Sequence, residues 1–147
     1  KRHRSEDKDL QEAARKEEAE IQLHNEYVRQ FNAASQLLVE GKFEEARTLL
    51  QGLRESRPHN EKILFYLGQA AFQLKDYDGA LEYYRRCNDA PGLEAWIVGW
   101  SRVRVGKILA SRGDYSGARE LFVEVQAMEG DLRGANDEAD RLLVKLP

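Results

Sequence analysis

A short pattern occurs three times in this 147-residue chain, and it leaves few folds open. Gly41-Lys42-Phe43 leads to Ala46, Lys75-Asp76-Tyr77 to Ala80, and Gly113-Asp114-Tyr115 to Ala118. The alanines lie 34 and 38 residues apart. In each copy a turn separates two stretches whose apolar residues recur at three- and four-residue spacing, the mark of a single buried helix face. The clearest copy is residues 61–89. Leu64, Leu67, Gly68 and Ala71 form its first stripe, and Tyr77, Ala80, Leu81, Tyr84 and Cys87 its second. Neither arm of such a hairpin buries its face alone, so the arms pack on each other and successive hairpins stack.

A 34-residue period, with Leu67-Gly68 early, a turn at Lys75-Asp76 and the aromatic Tyr77 ahead of Ala80, resembles the tetratricopeptide repeat family. The resemblance implies an all-α fold: a right-handed α-α superhelix of three helix hairpins, with a long N-terminal helix before them and a C-terminal capping helix after them. The expected organisation is a charged helical extension over residues 1–26 and a repeat domain over 27–147. Within the latter, repeats are expected at about 27–60, 61–92 and 93–130, and the capping helix at 131–146.

Local signals agree with this division. No Pro or Gly falls between Ser5 and Glu40, so a long helix is expected there, with Ser5 as a candidate N-cap. Leu10, Ala14, Ile21, Val28, Phe31 and Leu38 lie near one face of it, interrupted by Glu17 and His24. That seam is too poor in leucine to specify a coiled coil, although a dimer role stays open. Gly41 and Pro58 end the two helices of repeat one, since glycine takes the left-handed cap without steric cost and proline cannot continue a helix. Lys75 stands where the other two turns carry glycine. Pro91-Gly92 breaks the chain before repeat three, and its first helix is expected from near Leu93. Gly130-Asp131 ends the last repeat helix, with Asp131 as the expected cap of the terminal helix. There Leu132, Ala135, Ala139, Leu142, Leu143 and Leu146 make the apolar side.

Several function classes find no support. A net charge of −3 gives no basic field for nucleic acid, and the basic Lys1-Arg2-His3-Arg4 is followed at once by Glu6, Asp7 and Asp9. No apolar run reaches the ~18 residues of a membrane span, so a membrane role would require a segment upstream of Lys1. Compartment is open; the lack of a signal peptide and the single cysteine lean towards the cytoplasm. That cysteine, Cys87, reads as a small buried side chain. Glu20 and His24 at i, i+4 lack further metal ligands, Asp76 and Asp78 read as turn and helix-start residues, and no nucleophile has a histidine at motif spacing. No cofactor, metal site or catalytic residue is expected.

The resemblance places function on the concave surface, lined by the first helix of each repeat, and implies a peptide or protein ligand. Carried over position by position, the groove takes Val28, Phe31, Asn32, Ser35 and Leu38 from repeat one. Repeat two supplies Lys62, Phe65, Gln69 and Phe72, and repeat three supplies Trp100, Val103, Arg104, Lys107 and Ala110. Aromatic anchors with a few cations suit a partner presenting an acidic or C-terminal carboxylate group. Chaperone-binding members use a Lys/Asn/Asn/Lys/Arg clamp. Only Asn32 and Arg104 match it, while Phe31, Ser35 and Trp100 replace the Lys, Asn and Lys, which disfavours chaperone tails. Two further expectations compete with an open groove. The aromatics can pack on each other or on another domain of the parent chain, and the helix before Tyr27 can fill the groove or support a homo-oligomer.

Overall fold

The computed structural model describes residues 2–58 and 60–147, the side chains of residues 2 and 3 excepted. Lys1 and His59, and the side chains of Arg2 and His3 in the basic cluster, thus lie outside the described residues. Among the described residues seven helices follow one another: α1 (Arg2–Val39), α2 (Phe43–Ser56), α3 (Glu61–Gln73), α4 (Tyr77–Asn88), α5 (Ala95–Ser111), α6 (Tyr115–Ala127) and α7 (Ala135–Lys145). Consecutive helices pack against each other throughout, giving hairpins α1/α2, α3/α4 and α5/α6 with α7 closing the end. Helices α3 and α5 also touch, as do α5 and α7, and α2 reaches α4 through the Arg54 guanidinium, 5.8 Å from the Tyr83 ring centre. The first helices thus share one side of the stack: α1 meets α3 through Phe31 and Tyr66, and α3 meets α5.

The turns explain the repeated motif. Gly41 (φ 78°) and Gly113 (φ 87°) adopt the left-handed conformation, and the next residue's N–H returns to the helix five residues back: Lys42 to Leu37 O at 2.8 Å, Asp114 to Leu109 O at 2.9 Å. Lys75 takes the same conformation at φ 62°, with Asp76 N–H donating to Ala71 O at 2.9 Å. A side chain there carries a steric cost that glycine avoids. The aspartates that follow start the next helices: the Asp76 carboxylate accepts from Gly79 N–H (3.1 Å) and that of Asp114 from Gly117 N–H (2.9 Å).

The core is a chain of three linked clusters. The first joins Ala34, Leu50, Leu53, Ile63 and Leu67; the second is built on Phe65, Ala80, Tyr84, Cys87, Ile97 and Ile108; the third holds Val103, Phe122, Val125, Leu132 and Ala139. Helix α3 contributes to the first two and α5 to the last two, so burial is shared between neighbouring hairpins. Each fully buried large side chain contributes on the order of 1.5–3 kcal/mol. Small–large pairs set the distance between the arms. A Cβ placed on Gly68 would lie 2.6 Å from Tyr84 Cε1, and one on Gly106 2.5 Å from Phe122 Cε1. In both cases the partner is 16 residues on. The equivalent positions of repeat one are Ala34 and Leu50, where a larger small residue meets a smaller large one.

Some boundaries differ from the sequence reading. Ser5 does not cap α1, which is already helical from Arg2. Helix α5 begins at Ala95 rather than near Leu93, after an extended Glu94. Helix α7 begins at Ala135 instead of 131, because the Asp131 carboxylate accepts from Arg133 N–H (3.0 Å) in a tight turn, and Gly134 (φ 88°) leads into the helix. Helix α1 runs without a break across the expected boundary at residue 26. Nearly every described side chain before Tyr27 is exposed, with Leu10 at 68% and Ile21 at 52%, so this part projects beyond the stack.

Candidate functional site

The inner face is built from α1, α3 and α5, with the turn before α7 as its far wall. An aromatic ladder runs across it. Phe31 meets the edge of Tyr66 (centroids 5.0 Å apart), Tyr66 meets Phe65 (5.4 Å), and Phe65 meets Trp96 (5.6 Å). These near-perpendicular arrangements match ring edges to ring faces. Phe65 is 1% exposed and Val103 is fully buried. Both were expected to contact a ligand, and both instead form the floor beneath the groove. They sit one turn before Gln69 and Lys107, which are half-exposed. The first helix of each hairpin must face its own partner helix and the neighbouring hairpin, so a buried stripe covers more of its circumference than one groove leaves free.

Cations overlie the aromatics. The Arg104 guanidinium lies 5.7 Å from the Phe72 ring centre and 5.8 Å from that of Trp100, and it donates a 3.2 Å hydrogen bond to the Tyr84 hydroxyl. Lys107 Nζ is 5.8 Å from the Phe72 ring centre. Arg133 stacks on Trp96 at 4.0 Å, and its carbonyl accepts from Trp100 Nε1 at 3.2 Å. Its backbone is held at φ 50°, in the sparsely populated left-handed region. Lys62 Nζ is 5.9 Å from the Trp96 ring centre and 3.3 Å from Glu94 Oε1.

Few carboxylates offset these charges. Glu94 also accepts from Trp96 Nε1 at 2.6 Å, and that bond, followed by Lys62, holds its carboxyl below the usual carboxylate range. Glu138 lies 4.0 Å from Lys107 but is bonded to Arg141, which does most to lower its own carboxyl. Among the described residues no carboxylate pairs with Arg104 or Arg133. Between Arg104, Gln69, Gln73, Leu38, Val39 and Phe43 there is a depression of about 220 Å³.

The other expected groove residues divide by position. Ser35, Lys62, Gln69, Phe72, Trp100, Arg104 and Lys107 are half-exposed, as are Phe31, Leu38 and Ala110. Asn32 and Val28 lie exposed at the open edge of repeat one. Three contributors escaped sequence reasoning. Tyr66 is one residue from the expected Phe65 and carries the stripe's exposed side. Trp96 lies in the irregular start of repeat three. Arg133 is on a turn 33 residues from Trp100, and only the Gly130-Asp131 break pointed to that segment. Elsewhere, Asp76 and Asp78 are engaged in helix capping and in an ion pair with Arg112 (2.8 Å). Glu20 and His24 lie exposed on the projecting part of α1, and no cluster of three or more metal-ligating side chains occurs among the described residues. Nor is any described helix long and apolar enough to cross a membrane.

Stacked hairpins with an inner face of aromatic and cationic side chains define a helical-repeat interaction scaffold. The family model of the tetratricopeptide repeat matches residues 31–92, which supports the likeness to that family over this part of the chain. Such repeats generally mediate protein–protein interaction and are not, as a rule, catalytic. No curated protein matches the chain.

Proposed function

We propose that the inner face binds a segment of a protein partner in which one or more carboxylates flank an apolar side chain, and that the chain itself is non-catalytic. The observation that carries this reading is Arg104, a guanidinium held over two aromatic rings and braced by the Tyr84 hydroxyl, with no carboxylate paired to it among the described residues. A braced cation loses little side-chain entropy when a carboxylate arrives, and bidentate pairing with guanidinium adds orientation. Arg133 and Lys107 extend the same field. Phe72, Tyr66 and Trp100 offer rigid apolar surface beside it, the kind of anchor that carries interface energy.

The test is a titration of a short peptide bearing two glutamates beside a leucine, read by the fluorescence of Trp96 and Trp100. Arg104→Gln with Arg133→Gln weakens binding at least tenfold, whereas Lys42→Gln, on the turn after α1, leaves it unchanged. Equal affinity for all three proteins would overturn the assignment.

A further inference from the structure

We propose that the groove is occupied in trans: the projecting helix of one copy of this chain docks, by its acidic and apolar face, into the inner face of a second copy, giving a reciprocal dimer. The proposal rests on the groove reading above and names an occupant for it.

The projecting part of α1 is asymmetric around its circumference. At about 100° per residue, Leu10, Ala14 and Ile21 fall on one line of the helix. Glu6, Asp7, Glu17 and Glu18 lie within about 60° of that line, and Arg4, Lys8, Arg15 and Lys16 all lie about 100° or more away. The exposed apolar stripe, with Leu10 at 68% and Ile21 at 52%, is thus bordered by carboxylates and by no cation. From Arg4 to Glu26 there are eight carboxylates against four lysines and arginines. The groove has the opposite character: aromatic surface bordered by Arg104, Lys107, Arg133 and Lys62. Electrostatic and apolar matching therefore coincide on the same two surfaces.

The occupant cannot come from the same molecule. Helix α1 is continuous from Arg2 to Val39, so the projecting part extends the axis of α1 away from its own groove. Pairing of two projecting helices with each other is the less favourable arrangement. It would bring like-charged faces together, and Glu17 and His24 interrupt the seam. Exchange of helices between two grooves satisfies both copies at once under two-fold symmetry, so the assembly closes.

The experiment measures mass by light scattering on the full chain between about 1 and 200 μM, a range suited to a weak interface, with circular dichroism confirming helicity of each variant. The wild type is expected to reach dimer mass and to dissociate in about 1 M NaCl, where charge attraction is screened. Glu17→Lys with Glu18→Lys, and separately Arg104→Glu with Lys107→Glu, each weaken dimerisation at least tenfold. An equimolar mixture of the two variants recovers dimer mass, because one intact helix then meets one intact groove. A wild type that stays monomeric overturns the proposal. So does a dimer indifferent to either reversal, or one lost on helix reversal but kept on groove reversal, the last pointing to helix–helix pairing. The groove reading is tested apart from this, by binding of the Glu-Leu-Glu peptide to the helix-reversed variant.

Discussion

Adding one methyl group at Gly68 should be strongly unfavourable, and the same addition at Gly52 favourable. Both glycines lie inside helices, where alanine is preferred by roughly 1 kcal/mol. At Gly52 nothing lies within 4 Å of the new carbon, so that preference is realised in full. At Gly68 the carbon would lie 2.6, 2.8 and 2.9 Å from three atoms of the Tyr84 ring. Tyr84 is fully buried and its hydroxyl is fixed by Arg104, so the ring has nowhere to withdraw. Overpacking of this kind costs typically 1–3 kcal/mol, and the clash has to exceed the helix preference before any loss appears. We expect a net loss of about 1–2 kcal/mol for Gly68→Ala and a gain of up to about 1 kcal/mol for Gly52→Ala. For a chain of this size that is a Tm lower by roughly 2–8 °C against one higher by roughly 2–4 °C. Urea melts followed by circular dichroism give the two differences directly. The double variant Gly68→Ala with Tyr84→Leu recreates the Ala34–Leu50 pair of repeat one and should recover part of the loss. A Gly68→Ala protein as stable as Gly52→Ala would refute the account of how the arms are spaced. Because Tyr84 also braces Arg104, the single variant should weaken acidic-peptide binding as well, linking packing to the groove.

Other outcomes follow from the same structure. Lys75→Gly relieves the left-handed strain at φ 62° and should raise the urea midpoint, by about 1 kcal/mol in stability. Cys87 is fully buried, and desolvation pushes its thiol up to about 11, so a thiol reagent at pH 8 should modify it only upon unfolding. Burial likewise pushes the Tyr84 hydroxyl up to about 12. In both groups the folded value exceeds the unfolded one, so the neutral form is favoured by folding. Stability is then intact below about pH 9 and falls as pH rises, first between the ordinary thiol value and about 11, then between the ordinary tyrosine value and about 12. Cys87→Ala should remove the first part of that decline in alkaline melts and leave the second. A wild type whose stability is flat from pH 8 to about 11 would contradict it.

The hairpins were legible because their signals are local. Three- and four-residue stripes, left-handed turn glycines and capping aspartates lie within one period of the chain, and repetition confirms each copy by the others. The terminal helix was placed a few residues early because Asp131 has two available tasks, starting a helix or closing a turn, and a turn formed by Arg133 and Gly134 decides between them. The groove was legible only in outline. Phe65 packs against Tyr84 of α4 and Trp96 of α5, and Val103 against Phe122 of α6 and Leu132, so both are drawn into the core instead. Trp96 and Arg133 meet across 37 residues, through an irregular helix start and a strained turn, and neither follows the repeat. Periodicity can rank faces of a helix, but it cannot say which segment outside the period will fold over them.

Helix α1 carries no proline or glycine, and its last third is wedged beneath Tyr66 through Phe31. A pull or twist applied at its free end has no hinge in which to dissipate before it reaches the first rung of the aromatic ladder. The rod and the groove are therefore mechanically in series: load on one is felt as a shift of the other's wall, and a flexible Gly-Gly insertion near residue 26 would disconnect them while leaving every hairpin folded.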